Sequence, residues 1–476
     1  MTHGDLSARY NQALQALRQA GQEHVLTFYD RLDEGRRDEL LGQIEGQDWP
    51  RLAELVQTHV RREPELHLPG SIEPAPYYPA QPTHDLRDKY EQAREHGQEL
   101  IRAGKVAAFT VAGGQGTRLG WDAPKGTFPA TPIKGKPLFQ VFAESILKVR
   151  RKYNAQVPWY IMTSPANDRA TRAFFSDHNY FGLHRGDVMF FPQGTVPSFS
   201  LDGKALLEAP WRLATNPDGH GGSLRALHRG GALADMKQRG VEQISYFQVD
   251  NPLVRCIDPL FLGLHKLDGA QMSSKMVAKS HAGEKVGAFA LIDGKIGVIE
   301  YSDLPRELAE ARDTDGRLRF IAGSIAIHIL EVAFVERLND GTFTMPYHRA
   351  VKKVPHIDLQ TAQPVEPQSP NAVKLEMFVF DALRFCERSI VLETVREEEF
   401  APIKNAQGDD SPQASRQLQS DRAARWLEAA GVSVPRSNGR YDAVIELSPL
   451  TAVEPQDLRG TAILPTEIPP GAEVIV

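Results

Sequence analysis

The sequence predicts an α/β protein in which a parallel sheet is covered by helices on its faces. Between residues 105 and 250, short apolar segments alternate with helical segments. The predicted order is strand 105–111, helix 138–153, strand 158–163, helix 167–178, strand 188–191, helix 223–238 and strand 243–249. This alternation is typical of a parallel sheet with helices packed against it. Such sheets bind ligands beyond the carboxyl ends of their strands.

The N-terminal region follows a different pattern. Residues 5–60 repeat apolar side chains at helical spacing, and the six prolines within 64–82 predict an irregular connector. A further helix is expected to end at Gly104. The chain is therefore divided into an N-terminal helical segment with its connector, a central domain and a small C-terminal α+β domain, with the boundaries 1–84, 85–400 and 401–476.

The C-terminal half is less regular. The stretch "KVGAFALIDGKIGVIEYSDL" predicts a hairpin that turns at Asp293-Gly294. Residues 376–386 predict an apolar helix, and residues 417–430 predict a second one. The charged run "REEEF" at 396–400 is interpreted as a solvated helix face.

Composition excludes several classes of protein. The 476 residues are 41% hydrophobic, which suffices for a large core, and the net charge of −6 argues against a nucleic-acid-binding protein. Two cysteines, Cys256 and Cys386, exclude a disulfide framework and a cysteine-based zinc site, and they fit a reducing cytoplasm. No signal peptide or membrane-spanning stretch is expected. Both cysteines are interpreted as packed small residues.

A glycine-rich stretch follows the first predicted strand. Residues 111–126, "VAGGQGTRLGWDAPKG", contain four glycines and two cations, namely Gly113, Gly114, Gly116, Gly120, Arg118 and Lys125. Leu119 stands where a dinucleotide fingerprint needs glycine, and no Gly-Lys pair is followed by Ser or Thr as a P-loop requires. The glycines alone fit a tight structural turn equally well. The two cations favour phosphate binding, because Arg and Lys can neutralise phosphate oxygens.

Other candidates are weaker when each is taken alone. "PDGHGG" at 217–222 is a second glycine loop before a helix, or a plain helix entry. Asp250 in "QVDN" follows a predicted strand and could hold Mg²⁺, or cap a turn. Lys374 and Lys404 are ordinary surface lysines by composition. Because the first glycine loop and Asp250 both follow strand carboxyl ends, we expect them to meet in one cleft.

Twelve segments, in order along nearly the whole chain, resemble one family. The stretch "AGGQGTRLG…PKG" resembles the signature of the eukaryotic-type UDP-sugar pyrophosphorylases, and of the UDP-N-acetylhexosamine pyrophosphorylases in particular. Further similar segments are "AGQEHVLTFYD", "IMTS", "FFSDHNYFGL", "FFPQG", "PDGHGG", "QVDN", "IEYSD", "VKKVPHID", "KLEMFVFD", "PIKN" and "ELSPLT".

The resemblance implies a reaction and a fold. UTP and a sugar 1-phosphate would give UDP-sugar and pyrophosphate, with Mg²⁺ as cofactor. These small molecules are the expected partners, and neither nucleic acid nor a membrane is expected. The implied fold has a central mixed, mostly parallel sheet of the Rossmann-like nucleotide-diphospho-sugar transferase type. An N-terminal helical segment and a small C-terminal domain accompany it. The oligomeric state stays open.

The resemblance also implies roles for individual residues. The charge-neutralising, catalytic residues would be Arg118, Lys125 and Lys404. UTP would contact Ala112, Gly113, Gly114, Gln193, Gly219, Asp250 and Lys374, with Asp250 also binding the metal. The sugar would contact His220, Glu300 and Ser324.

Two departures from the hexosamine enzymes bear on the sugar. His220 stands where those enzymes usually have Asn, and Ser324 of "IAGS" stands where they have the last Asn of "NAGN". We expect N-acetylglucosamine 1-phosphate as substrate. Glucose 1-phosphate, or a broader range, is the alternative, because histidine in this loop resembles the UDP-glucose enzymes.

Two other functions fit the sequence less well than uridylyl transfer. A UDP-sugar-dependent glycosyltransferase would normally show Asp-x-Asp where this chain has Asp250-Asn251-Pro252. A non-catalytic UDP-sugar-binding regulator would not need to keep Arg118, Lys125, Asp250 and Lys404 together.

Overall fold

A computed structural model of the protein describes residues 3–63, 70–341, 345–459 and 464–476. The residues 64–69 of the predicted proline-rich connector lie outside this range. The α-helices of the described chain are α1 (His3–Ala20), α2 (Glu34–Glu45), α3 (Trp49–Leu55), α4 (Arg87–Arg102), α5 (Leu138–Tyr153), α6 (Asp168–Asp177), α7 (Gly222–Arg229), α8 (Ala232–Gln238), α9 (Pro259–Leu267), α10 (Arg306–Glu310), α11 (Val332–Asn339), α12 (Arg396–Glu399) and α13 (Pro412–Ala429). None of these helices combines the length and apolar character needed to cross a bilayer.

The strands of the described chain are mostly short. They are β1 (Ile72–Pro74), β2 (Val106–Val111), β3 (Trp159–Thr163), β4 (Val188–Pro192), β5 (Thr195–Pro197), β6 (Phe199–Ser200), β7 (Leu207–Ala209), β8 (Arg212–Leu213), β9 (Thr215–Pro217), β10 (Gln243–Gln248), β11 (Met272–Ala278), β12 (Ala288–Ile292), β13 (Lys295–Ile299), β14 (Ala322–Glu331), β15 (His348–Lys352), β16 (His356–Ile357), β17 (Pro364–Val365), β18 (Ala372–Glu376), β19 (Ser389–Glu393), β20 (Arg436–Ser437), β21 (Arg440–Tyr441), β22 (Ala443–Glu446) and β23 (Ala472–Ile475).

The central sheet confirms the predicted α/β fold. Strands β10, β2, β3 and β4 lie side by side and parallel, so their carboxyl ends share one edge. Beyond β10 the sheet becomes mixed, because β14 pairs antiparallel with β10 and β11 pairs antiparallel with β14 and parallel with β19. The predicted hairpin is present as β12 and β13, which pair across Asp293 and Gly294.

Burial explains why these strands form the centre. Every residue of β3 is buried, as are the first five residues of both β2 and β10. Strands covered on both faces read as continuous apolar runs rather than as alternating patterns. Helix α5 places Phe139 and Phe142 against this sheet, in a core that also contains Trp159 and Phe175.

Some predicted helices have different bounds. The helix expected at 223–238 is two helices, α7 and α8, because the chain turns at Gly231 with φ 78°. The apolar helix expected at 376–386 is a 3₁₀ helix over Val379–Phe385, since β18 extends to Glu376. The last helix begins earlier than expected, at Pro412, where the Ser411 side chain accepts a hydrogen bond from Ala414 N and caps it.

The chain forms two compact units, each built from separate segments. Unit 1 comprises the described residues of Met1–Leu68, Gly194–Gly222 and Met345–Val379, and unit 2 comprises those of Pro69–Gln193, Ser223–Thr344 and Phe380–Val476. Unit 1 packs α1–α3 against short strands around a separate apolar core that includes Leu17, Phe199 and Val373. Unit 2 contains the central sheet. The predicted division at residues 84 and 400 stays a prediction.

Candidate active site

The first glycine loop of unit 2 begins where β2 ends. Two backbone hydrogen bonds close it, from Lys125 N to Gly114 O (3.2 Å) and from Gly116 N to Ala123 O (3.0 Å). Ala112 at its start is fully buried and donates its N–H to Met162 O on the neighbouring strand. Gly114 is exposed, and a Cβ placed on it would meet nothing within 4 Å. The loop therefore holds open backbone at the carboxyl edge of the sheet.

Gln193 lies against this loop, as expected for residues that share one ligand. It follows β4 directly and is buried, and a Cβ on Gly113 would overlap its Oε1 atom. Any side chain at 113 would thus force the Gln193 amide to move from its present position. The structure brings together Ala112, Gly113, Gly114 and Gln193, four of the predicted UTP contacts.

Asn167 is a positioning residue that sequence reasoning missed. Its buried side chain donates from Nδ2 to Ala112 O (2.9 Å) and Gly114 O (3.3 Å), and its Oδ1 accepts from Ser164 N (2.8 Å). The residue thereby fixes the glycine loop to the turn that follows β3. Its position just after a strand, in "TSPAN", was the available signal.

A cluster of four charged side chains forms at the same edge. Lys125 Nζ lies 3.7 Å from Asp250 Oδ2, and Lys404 Nζ lies 3.7 Å from Asp410 Oδ2. The two pairs adjoin, because Ile403 N donates to Asp250 O (2.8 Å). The expected meeting of the glycine loop with Asp250 is confirmed.

Asp410 was not recognised from the sequence, since "QGDDSP" reads as a polar loop. Its carbonyl accepts hydrogen bonds from Lys404 N (2.7 Å) and Asn405 N (3.1 Å), which closes the loop after Lys404. Burial raises the pKa of its carboxyl group; the charge of Lys404 opposes this rise and that of Asp250 adds to it. Asp410 therefore brings a second carboxylate close to Asp250.

Arg118 stands on a 3₁₀ turn, Thr117–Leu119, of the same loop. Its side chain is exposed, and among the residues that the structure describes it has no ion-pair partner. This fits a cation available to an anionic ligand, and its catalytic role stays a prediction.

The two predicted sugar contacts of unit 2 meet at Gly287. Ser324 N donates to Gly287 O (2.8 Å), and a Cβ on Gly287 would lie 3.5 Å from Glu300 Oε1. Ser324 lies in the part of β14 that extends past the carboxyl end of β10, because Tyr246 pairs with His328. Both side chains are half-buried.

Three predicted site residues belong to unit 1. Gly219 has φ 85°, and a Cβ on it would overlap the Met377 carbonyl oxygen. His220 accepts a hydrogen bond at Nδ1 from Val379 N (3.1 Å), and its ring stacks on Phe378 at 5.3 Å between centroids.

Lys374 lies on β18, opposite Ala350 of β15, and its side chain is half-buried. Within unit 1, this strand runs into the Met377–Val379 segment against which the second glycine loop packs.

Two interpretations of other residues have different outcomes. The solvated helix face expected at "REEEF" is wrong: Glu399 is fully buried, and Glu398 accepts hydrogen bonds from Arg425 Nε (2.8 Å) and Trp426 Nε1 (2.6 Å). Both cysteines are buried as expected, and burial raises the pKa of each thiol to about 12. Neither thiol is a nucleophile at neutral pH.

The chain is similar to known proteins along most of its length. Residues 62–421 match the model of the family described as UTP–glucose-1-phosphate uridylyltransferase. The chain belongs to this uridylyltransferase family. A UDP-N-acetylglucosamine diphosphorylase 1 from Arabidopsis thaliana is 36% identical over 94% of this chain and 89% of its own length. A UDP-N-acetylglucosamine pyrophosphorylase from Saccharomyces cerevisiae is 41% identical over 71% of this chain and 73% of its own.

The fold of this uridylyltransferase family member has a solved counterpart. The crystal structure of the uridine diphosphate N-acetylglucosamine pyrophosphorylase from Trypanosoma brucei, in complex with an inhibitor, superposes with a TM-score of 0.82. It is 27% identical, and the match covers 98% of each chain.

Proposed function

We propose that this chain transfers the uridylyl group of UTP to N-acetylglucosamine 1-phosphate, which yields UDP-N-acetylglucosamine and pyrophosphate. The observation that carries the proposal is the cluster of Lys125, Asp250 and Lys404 beside an open glycine loop. Membership of a uridylyltransferase family supports the reaction type. The names of the Arabidopsis and yeast relatives support the N-acetylglucosamine product.

The proposed mechanism depends on charge neutralisation. A phosphate oxygen of the sugar 1-phosphate attacks the α-phosphorus of UTP, the new P–O bond forms, and the bond to the β-phosphate oxygen breaks as pyrophosphate leaves in line. The attacking oxygen is already ionised, so no general base is required. The barrier comes from an anion approaching a polyanion, and Arg118, Lys125 and Lys404 lower it electrostatically.

The open backbone of the first loop has a matching role. Gly114 lets phosphate oxygens approach the N–H groups closely, because no side chain occupies that space. Asn167 holds the loop in place for this contact through its hydrogen bonds to Ala112 O and Gly114 O. The UTP contacts proposed for Gly219 and Lys374 rest on the family resemblance alone.

The donor set fits Mg²⁺, which we propose as the cofactor. Asp250 would hold the ion, and Asp410 supplies a second carboxylate nearby. Within the described ranges no three His, Cys, Asp or Glu side chains form a metal-binding group, whereas Mg²⁺ typically uses only one or two carboxylates and takes its other ligands from phosphate and water. When bound, Mg²⁺ supplies positive charge to the phosphates.

The sugar assignment has one alternative that a specific residue favours. Glu300 can accept hydrogen bonds from two hydroxyls, and Ser324 beside it leaves more room than Asn would. This suits an N-acetyl group, with a water-mediated contact in place of the amide. His220 favours glucose 1-phosphate instead, through its resemblance to the UDP-glucose enzymes. The cytoplasm is the proposed location, since both cysteines are free and buried.

The test is pyrophosphate release from UTP with a panel of sugar 1-phosphates. The uridylyltransferase releases pyrophosphate only when both substrates and Mg²⁺ are present, and we expect N-acetylglucosamine 1-phosphate to give the highest kcat/KM. A glycosyltransferase would instead consume UDP-sugar and release UDP, and a regulator would bind without turnover. Either of these results would overturn the proposal.

A further inference from the structure

A buried ion cluster lies in unit 2, among residues to which the proposed reaction gives no role. The Lys275 side chain is only 1% exposed, and its Nζ atom donates to Asp258 Oδ2 (2.7 Å) and to both carboxylate oxygens of Glu399 (2.6 and 2.7 Å). Lys275 sits where the register of β11 against β14 shifts between Ser274 and Met276. Such a bulge re-aims a side chain, and here the lysine meets two carboxylates.

The cluster is fully satisfied rather than loosely paired. Glu399 also accepts from Thr394 Oγ1 (2.8 Å) and Arg255 N (3.3 Å), while Asp258 caps α9 by accepting from Leu260 N (3.0 Å). The charges of Lys275 and Arg255 hold the pKa of Asp258 well below its usual range, although burial opposes this. Apolar side chains of similar volume often stabilise a fold as well as a buried ion cluster does. The cluster therefore matters for where it holds the backbone around Glu399, rather than for its contribution to stability.

Asn251 transmits that geometry to the charged site residues. Its Nδ2 donates to Glu399 O (2.7 Å), and its Oδ1 accepts from Ala401 N (3.0 Å) and Leu253 N (3.2 Å). Asn251 follows Asp250 directly, and the segment it holds leads within a few residues to Lys404. The same two segments are also joined by a backbone hydrogen bond from Ile403 N to Asp250 O. The buried side-chain amide of Asn251 thus joins the segment just after Asp250 to residues 399–401, which precede Lys404.

We propose that Asn251, anchored by the Lys275–Asp258–Glu399 cluster, is a positioning residue that sets Lys404 beside Asp250. Its effect on turnover rests on the proposed function, whereas its effect on the backbone does not. The residue touches no reacting atom in this scheme. It acts because the Ile403–Asp250 hydrogen bond and the direction of the Lys404 side chain depend on where residues 399–401 are held.

The first test is hydrogen–deuterium exchange at the Ile403 amide, which needs no catalytic activity. Asn251→Ala removes three hydrogen bonds, and we expect Ile403 to exchange at least about tenfold faster, while amides of the parallel strands β2 and β3 stay protected. The matched control is Asn339→Ala, which removes two partly buried hydrogen bonds that the Asn339 side chain donates to Leu224 O and Val335 O. It should leave Ile403 unchanged. Unchanged exchange in Asn251→Ala would overturn the proposal.

Asn251→Ser is the substitute if the alanine variant does not fold. Serine is too short to reach both Glu399 O and Ala401 N, so the same acceleration at Ile403 is expected.

The second test is a double-mutant cycle on turnover. We expect Asn251→Ala to lower kcat by about 10- to 100-fold while the KM for UTP changes by less than about threefold. In a Lys404→Ala background, the additional loss from Asn251→Ala should shrink at least about fivefold, since two residues that act through one group are not additive. Fully additive losses would mean a merely structural role. If the unmodified chain shows no turnover at all, the proposed function fails, and the exchange result decides the positioning proposal by itself.

Discussion

The two glycine-rich loops look alike in sequence and differ in what their glycines do. In the first, at residues 111–126, Gly114 and Gly120 have nothing within 4 Å of an added Cβ. In the second, at 217–222, a Cβ on Gly219 or Gly221 would strike the backbone of Met377 and Phe378. The first loop leaves its backbone open beside cations at Gly114 and Gly120, although a Cβ on Gly116 or Gly126 would strike Trp121 or Phe139. The second loop uses Gly219 and Gly221 to let another segment approach.

The difference supports the proposed phosphate contact of the first loop and gives the glycines of the second loop a packing role. Gly221 N donates to Met377 O (2.8 Å), and Met377 N donates to Asp218 O (2.8 Å), so much of the second loop's backbone is already paired within unit 1. The first loop instead carries Lys125, whose Nζ atom lies near Asp250 of the segment that follows β10. Glycine density therefore does not indicate phosphate binding by itself, and the proposal for the first loop depends on its unfilled space and adjacent cations as well.

The largest expected effect contrasts one polar residue from each loop. Lys125→Ala should lower kcat by about 10²- to 10³-fold, because a preorganised charge near the transferred phosphate is lost. Arg118→Ala should act in the same direction. His220→Ala should cost less, since His220 packs on Phe378. Pyrophosphate release measures all three, and circular dichroism checks the fold.

The matched control for Lys125 is Lys237→Ala, which removes an exposed lysine paired with Glu336. It should leave turnover unchanged. If Lys125→Ala and His220→Ala lose the same amount, the functional contrast between the loops is wrong.

The next effect concerns the partner of Lys125. Asp250→Asn should raise the Mg²⁺ concentration for half-maximal rate by about tenfold or more, because an amide is a poorer ligand than a carboxylate for this hard cation. A Mg²⁺ titration at saturating UTP measures the shift. Asp315→Asn, at an exposed carboxylate paired with Arg317, is the control. A titration that Asp250→Asn leaves unchanged would remove Asp250 as a ligand.

Two glycine substitutions test the comparison directly. Gly219→Ala should lower the free energy of unfolding by about 1–3 kcal/mol, since alanine is strained at φ 85° and its Cβ meets Met377. Gly114→Ala should change that free energy by less than about 0.5 kcal/mol, because the added methyl group meets nothing. It should instead raise the KM for UTP severalfold.

Urea unfolding and UTP saturation curves measure these two quantities for both variants. The proposed difference between the two loops is wrong if Gly114→Ala destabilises the protein and leaves the KM for UTP unchanged. The first loop would then also be a packing loop.

Local pattern predicted much of the fold. Helix α5 has the predicted bounds, and β2 and β3 agree within one residue, because each is a long periodic or continuous apolar segment whose signal is local. The meeting of Lys125 with Asp250 was also predictable, since both follow parallel strands and so share one edge. The local pattern and the order of the elements along the chain were enough to predict these features.

The rest depends on distant partners. Glu399 lies 124 residues from Lys275, so "REEEF" looked solvated while one of its glutamates pairs with a buried lysine. Asp410 was missed because its proximity to Asp250 follows from a loop closure that no spacing indicates. Unit 1 consists of three separated segments, and composition does not show which remote segments pack together.

The smallest effect concerns the sugar and sharpens the comparison at His220. Ser324 contributes one hydroxyl beside Glu300 and Gly287, where an asparagine would supply an amide able to contact the N-acetyl group directly. Ser324→Asn should therefore raise kcat/KM for N-acetylglucosamine 1-phosphate relative to glucose 1-phosphate, by less than about tenfold, or about 1.4 kcal/mol. His220→Asn should change the same ratio less, because His220 is held by Val379 N and Phe378. Both ratios come from kcat/KM measured with the two sugar 1-phosphates.

If Ser324→Asn changes neither of the two kcat/KM values, residue 324 does not face the sugar. If the unmodified chain prefers glucose 1-phosphate by tenfold, the N-acetylglucosamine assignment is wrong and the open space at Ser324 serves another purpose.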